Sequence, residues 1–170
     1  SNLLEMVKLQ ASEMRLHPEP LDLEPLVNDF VEPFYYQAEA AGKTLDCHVQ
    51  HGLCLEADRQ LLTELLVILL ENALKYTEPG GVIRVLAWGQ DNKVRLSVSD
   101  SGVGISDEAM DKIFSRFYRE ERQQSKTDGS GLGLYIASLI VERHGGKISA
   151  AHNNPKGTVF TVILPLKQKG

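Results

Sequence analysis

Four short stretches of this chain carry groups that could do chemistry. The first is Glu71-Asn-Ala-Leu-Lys-Tyr-Thr. At about 100° per residue, Ile68, Asn72, Lys75 and Tyr76 fall within about a third of a turn of one another on a helix. An amide, an amine and an aromatic ring would then project side by side. An amide at the edge of an apolar helix costs stability unless something satisfies it, so the group reads either as one wall of a ligand site or as a last turn that meets water. The second stretch is Asp100-Ser-Gly-Val-Gly, where Asp100 keeps the parity of Val94, Leu96 and Val98 along a strand. A carboxylate turned toward the core needs donors, and a purine amino group would be one. A carboxylate that caps its own turn fits the same residues. Gly102 and Gly104 allow positive φ and the close approach of a flat ring.

The third stretch, Gly129-Ser-Gly-Leu-Gly-Leu, runs into the helical pattern that begins at Leu132. Glycines at alternate positions expose backbone N–H groups, and a helix N-terminus adds partial positive charge, so the segment could cradle a phosphate. No Lys-Ser/Thr pair follows it, which excludes the P-loop, and the dinucleotide fingerprint does not fit either. A glycine-rich hinge with no ligand fits equally well. The fourth, Ile113-Phe-Ser-Arg-Phe-Tyr-Arg, sets Phe114 and Phe117 at packing spacing and Tyr118 and Arg119 beside a polar stretch that runs to Asp128. A mobile lid would look like this, with Arg119, Arg122 or Lys126 reaching a terminal phosphate. A solvated loop would have the same composition.

The elements that must hold these groups are legible from periodicity. Leu61, Leu65 and Leu69, widened by Leu62, Leu66, Leu70 and Ala73, make the apolar face of a long helix from Asp58 to Tyr76, with Asp58 at the N-cap. A first helix is expected over Asn2 to Leu16, ended by Pro18 and Pro20. Because it starts so near the first residue, it reads as the tail of another domain. Asp22 is placed to cap a second helix, Leu23 to about Ala41, stopped by Gly42. Thr44 to Val49 alternates as a strand, and Leu53 to Glu56 is expected as its short partner. Val82 to Trp88 and Val94 to Ser99 read as a hairpin, as do Lys147 to Ala151 and Thr158 to Leu164. Ser106 caps a short helix, and Leu132 to His144 forms the last one, stopped by Gly145-Gly146. The pattern predicts an α+β fold, a two-layer sandwich with a mixed, mostly antiparallel sheet of about five strands under three helices.

Length and composition set bounds. A chain of 170 residues with 42% hydrophobic and 24% charged residues fits one globular domain. A net charge of -5, without a basic block, argues against nucleic-acid binding. The sequence holds no apolar run of membrane-span length and opens on no signal peptide. Cys47 and Cys54 lack metal-site spacing and suit reduced thiols, and the His residues make no zinc pattern.

In order, these stretches resemble the boxes of sensor histidine kinases. Glu71 to Thr77 is similar to the N box, Asp100 to Gly104 to the G1 box, Ile113 to Arg119 to the F box and Gly129 to Leu134 to the G2 box. Gly157-Thr-Val-Phe…Leu-Pro resembles the closing hairpin. The likeness spans roughly Asp22 to Leu166 and implies the Bergerat ATP-binding fold. Residue by residue, it implies that Asn72 holds Mg²⁺ and Lys75 neutralises phosphate charge, with Tyr76 packed on base or sugar. It implies that Asp100 accepts from the adenine amino group, directly and through a water shared with Thr158. Gly102, Gly104 and Ile105 would shape the base site. Arg119 and Tyr118 would lie near the triphosphate, and Gly129, Ser130, Gly131, Leu132, Gly133 and Leu134 would close over it. Asn72, Lys75 and Arg119 would be the catalytic set, with ATP and Mg²⁺ as cofactors.

The resemblance also implies a protein-histidine kinase that donates the γ-phosphate to a His on its own dimerisation hairpin, for relay to a response-regulator receiver domain. None of the His residues here has the phosphoacceptor context, and His144 reads as structural or exposed. Residues 1–17 would be the end of that hairpin and 18–170 the catalytic and ATP-binding domain. The full-length protein would be a homodimer and this fragment a monomer, in the bacterial cytoplasm, with membrane anchoring of the parent left open. Ile68 departs from the pattern. Many members carry a second Asn there, and related ATPases a water-activating Glu. Isoleucine can neither ligate Mg²⁺ nor take a proton. The alternative is therefore a nucleotide-binding regulatory module with little phosphotransfer.

Overall fold

The computed structural model describes residues 15–115 and 132–168. Its elements are β1 (Pro18–Asp22), α1 (Leu23–Ala40), β2 (Thr44–Val49), β3 (Cys54–Asp58), α2 (Arg59–Tyr76), β4 (Val82–Gln90), β5 (Lys93–Asp100), α3 (Asp107–Met110), α4 (Gly133–Arg143), β6 (Lys147–His152) and β7 (Thr158–Pro165). The five-stranded sheet runs β2-β4-β5-β7-β6. Only the β2–β4 pair is parallel. The α+β two-layer sandwich expected from the sequence is the observed architecture. Strand alternation explains the layering: Ile83, Val85, Val94, Leu96, Val98, Phe160 and Val162 are buried on the helix side. Against them lie Leu61, Leu65 and Leu69 of α2, Val27 and Val31 of α1, and Ile136 and Ile140 of α4.

The β4–β5 hairpin closes on Asp91 and Asn92, with φ of 55° and 62°. Consecutive positive φ angles are what a two-residue turn needs to match the strand twist, and short polar side chains tolerate them best. Ser106 caps α3, its hydroxyl accepting from the Ala109 N–H at 3.2 Å. Asp22 stands at the N-cap of α1 but makes no side-chain capping bond. The Leu23 N–H is instead satisfied by the Leu53 carbonyl at 2.9 Å.

One expectation is corrected. The segment 54–58 does not partner β2. It pairs antiparallel with β1 in a separate two-stranded sheet, Pro18 opposite Asp58 and Asp22 opposite Cys54. Reading Pro18 and Pro20 only as helix stops hid this, because proline is tolerated on such an outer strand. The helix expected from Asn2 falls outside the described residues, except that Arg15 and Leu16 are not helical.

Cys47 sits under α1, its thiol donating toward Asn28 Oδ1 at 3.7 Å. Burial pushes that thiol up to about 11, whereas Cys54 is exposed. At pH 8 about one Cys47 in a thousand is then thiolate. Iodoacetamide should therefore label Cys54 at least about tenfold faster than Cys47 in the folded protein. Peptide-level mass spectrometry would show it, and equal rates would contradict the burial argument.

Candidate functional site

The site grows from α2. Asp58 is its N-cap, Oδ1 accepting from the Leu61 N–H at 3.1 Å. Asp58 Oδ2 accepts from the His17 N–H at 2.9 Å. The Asp58 N–H in turn donates to His144 Nε2 at 3.1 Å, and His144 Nδ1 lies 2.8 Å from the Ile140 carbonyl. That pairing puts the imidazole proton on Nδ1. His144 is buried at 2% and joins the start of α2 to the end of α4. Of the two sequence readings for it, the structural one holds. At the other end of α2, Lys43 Nζ donates to the Leu74 carbonyl at 2.5 Å, which satisfies a last-turn acceptor.

Between these anchors α2 carries Asn72, half-buried, whose side chain makes no hydrogen bond among the described residues. Lys75 lies in the last turn, its Nζ 5.4 Å from the Tyr76 ring centroid, within cation–π range. Tyr76 is 6% exposed, so its ring mainly contacts the protein itself. Its carbonyl accepts from the Val103 N–H at 3.3 Å. Ile68 is also buried, with its Cγ2 facing Gly133 at the start of α4.

Asp100 ends β5, 3% exposed, as the strand parity predicts. Its Oδ1 accepts from the N–H of Gly102 at 2.9 Å and of Thr158 at 3.3 Å. Thr158 is its cross-strand partner on β7. The Thr158 hydroxyl is buried and has no hydrogen-bond partner among the described residues. A Cβ at Gly102 would stand 2.2 Å from the Tyr76 carbonyl oxygen, so this glycine is required by the close passage of the α2 C-terminus, whatever ring lies nearby. Gly104 has φ of 78°, the positive value expected of it. Ile105 and Leu132 are buried, and Leu134 is half-buried. Gly133 opens α4, whose N-terminus has no side-chain cap among the described residues.

Asn72, Lys75 and Tyr76 of α2 thus share a helix end that touches the turn after Asp100. Ile68 links the same helix to Gly133. Tyr118, Arg119, Gly129, Ser130 and Gly131 lie outside the described residues. Sequence reasoning missed Asn153 and named Gly157 only as part of the closing hairpin. Asn153 Nδ2 donates to the Asp100 carbonyl at 2.8 Å. At Gly157 (φ 107°) a Cβ would fall 1.9 Å from the same oxygen. Once β5 and β7 are paired, the turn before Thr158 must pass beside Asp100, and that was the available signal. No group of three or more His, Cys, Asp or Glu stands close enough to hold a metal among the described residues.

Residues 57–168 match the family described as histidine kinase-, DNA gyrase B-, and HSP90-like ATPase. The chain is 40% identical over 150 residues to the signal transduction histidine-protein kinase BaeS of Escherichia coli strain K12, which covers 88% of this chain and 32% of BaeS. The chain thus spans about a third of that relative's length. Among solved structures, the catalytic domain of histidine kinase ThkA superposes with a TM-score of 0.80 at 31% identity, covering 89% of this chain and 97% of that one. ThkA in complex with the response regulator protein TrrA gives 0.79 at 28% identity, covering 97% of this chain and 46% of that one. Full-length ShkA in complex with AMPPNP gives 0.85 at 29% identity, covering 99% and 35%. With the family matched over most of the chain and a catalytic domain matched almost end to end, this chain belongs to the histidine kinase-, DNA gyrase B- and HSP90-like ATPase family, as the catalytic domain of a sensor histidine kinase.

Proposed function

We propose that this domain binds ATP with Mg²⁺ and donates the γ-phosphate to a histidine on a dimerising helical hairpin, for relay to an aspartate of a response-regulator receiver domain. The observation that carries the reading is the Thr158 hydroxyl, buried and without a partner among the described residues, beside the buried carboxylate of Asp100. A native core rarely leaves a polar group unsatisfied unless something else satisfies it. A donor-bearing base edge and its bridging water suit that pair, with Asp100 accepting from the exocyclic amine of adenine.

Asn72 fits a metal ligand, because its amide is half-buried and makes no hydrogen bond among the described residues. Mg²⁺ takes oxygen ligands and keeps several waters, so one amide oxygen plus phosphates is a sufficient set; it would neutralise charge on the phosphate oxygens. Lys75 adds positive charge beside it. The N-terminus of α4, without a side-chain cap among the described residues, offers backbone N–H groups to the phosphates, with Gly129, Ser130 and Gly131 preceding it in sequence. In the transfer, the acceptor imidazole nitrogen bonds to the γ-phosphorus as its bond to the β–γ bridging oxygen breaks, and ADP leaves. Catalysis is then mostly positioning and charge neutralisation, shared by Asn72, Lys75 and Arg119.

The kinase names of the relatives favour this reading over a regulatory module. Residues 1–17 would be the end of the hairpin, the full-length protein a homodimer and this chain alone a monomer. ShkA was solved with AMPPNP and ThkA with a response regulator, which supports nucleotide and receiver domain as partners here. Among the described residues no helix is long and apolar enough to cross a membrane; a cytoplasmic place for the domain remains part of the proposal.

Calorimetric titration with ATP, ADP and GTP, with and without Mg²⁺, tests the site. Adenine nucleotides should bind, GTP at least about tenfold more weakly, and Mg²⁺ should tighten ATP. Equal binding of ATP and GTP would overturn the adenine assignment. With the hairpin restored, label from γ-³²P-ATP should appear on its histidine; ATP binding without label would favour the module. Ile68→Asn should raise Mg²⁺-dependent ATP affinity by about fivefold. It should also destabilise the domain by about 2 kcal/mol, because the buried contact with Gly133 is lost. An unchanged metal dependence would mean that this position does not face the metal.

A further inference from the structure

The carboxylate of Asp100 can read a base only if the strand end that carries it is held still. The peptide plane between Asp100 and Ser101 is pinned on both sides. Its N–H, on Ser101, donates to the Val82 carbonyl at 3.1 Å. Its carbonyl, on Asp100, accepts from Asn153 Nδ2 at 2.8 Å. That plane leads into Gly102, whose N–H is one of the two that hold Asp100 Oδ1. A tilt of the plane therefore moves a donor of the carboxylate and re-aims the side chain.

Asn153 is well built for the task. Its own N–H donates to the Gly157 carbonyl at 2.9 Å, and its Oδ1 accepts from the Asn154 N–H at 2.9 Å. The acceptor end of the amide is thus committed, which turns the Nδ2 end toward Asp100. Gly157 presses the same turn against the Asp100 carbonyl, where no side chain would fit. Asn153 lies after β6, outside the four stretches that carry the family likeness.

We propose that Asn153 is a positioning residue for base selection: its amide fixes the Asp100–Ser101 peptide plane and thereby aims the carboxylate that distinguishes adenine from guanine. The inference rests on the reading of Asp100 as the adenine acceptor. An amino group at the purine 6-position donates to a carboxylate, whereas a carbonyl there repels it. Selectivity for ATP over GTP is thus the quantity that aim controls.

The test measures ATP and GTP affinity of this chain, wild type and variants, by calorimetry well below the melting temperature. Asn153→Ala should weaken ATP by about tenfold and shrink the ATP-over-GTP ratio by a similar factor. Asn153→Asp keeps the shape and the Oδ1 acceptor but removes the donor. It is read by the ratio alone, since its charge acts on both nucleotides alike, and that ratio should also fall by about tenfold. It serves alone if the alanine variant does not fold. A ratio within twofold of wild type in the folded variants overturns the proposal, including the case in which both nucleotides weaken equally, as a merely structural residue would produce. An Asp100→Asn control run alongside separates the two failures. If it leaves the ratio unchanged, the adenine reading itself falls and takes this inference with it.

Discussion

Asp100→Asn should weaken ATP binding by about a hundredfold while leaving the fold intact. A hydrogen bond to a charged group contributes about 1.5–3 kcal/mol, and the amide can turn a second donor toward the adenine amine, so about 2.7 kcal/mol is expected, a factor of about one hundred. Asparagine is the informative replacement. Asp100 Oδ1 already accepts from two backbone N–H groups, on Gly102 and Thr158, and an amide oxygen can keep both. Asp100→Ala would orphan both donors and mix lost recognition with lost stability. Calorimetry gives the affinity, and a thermal melt shifted by no more than a few degrees confirms the fold. Affinity within about threefold of wild type would remove Asp100 from the base site.

The second large effect is on stability. His144→Ala should cost about 3 kcal/mol. The Asp58 N–H would lose its buried acceptor, about 1–3 kcal/mol, and the ring would leave a cavity where α2 meets α4. For a domain of this size that corresponds to a fall in Tm of about 10 °C. His144→Gln, whose carbonyl oxygen can reach toward the Nε2 position, should recover roughly half of it. Differential scanning fluorimetry separates the three proteins, and an alanine variant as stable as wild type would show that the imidazole is not the acceptor it is described as. ATP affinity at low temperature should change little, because the ring's hydrogen-bond partners, Asp58 and Ile140, are not assigned to the nucleotide.

Much of the fold and of the site was legible before any coordinates. The leucine stripe on α2, the parity of Asp100 with Val94, Leu96 and Val98, and the Asp58 cap are local patterns, decided by residues close in sequence. What escaped depends on pairings across long separations. The partner of β3 is β1, and the prolines of β1 masked a strand that only that pairing reveals. Asn153 meets Asp100 because β5 and β7 lie side by side, and His144 meets Asp58 because α4 packs on α2. The polarity of an asparagine in a turn or a histidine at a helix end does not disclose its partner. Tyr76 illustrates the limit from the other side: its place on the helix was readable, but not that its carbonyl would fill the space Gly102 leaves open.

The carboxylate of Asp58 serves two neighbours at once, one oxygen for the Leu61 amide and the other for the His17 amide. The strand that begins beside His17 therefore cannot peel away without loosening the first turn of the long helix, and a frayed first turn would in turn release the strand. Two segments forty residues apart share one hinge pin, so they open and close as a single cooperative unit. Any strain that reaches the domain through residues before Pro18 arrives first at the base of the helix whose far end bears Asn72.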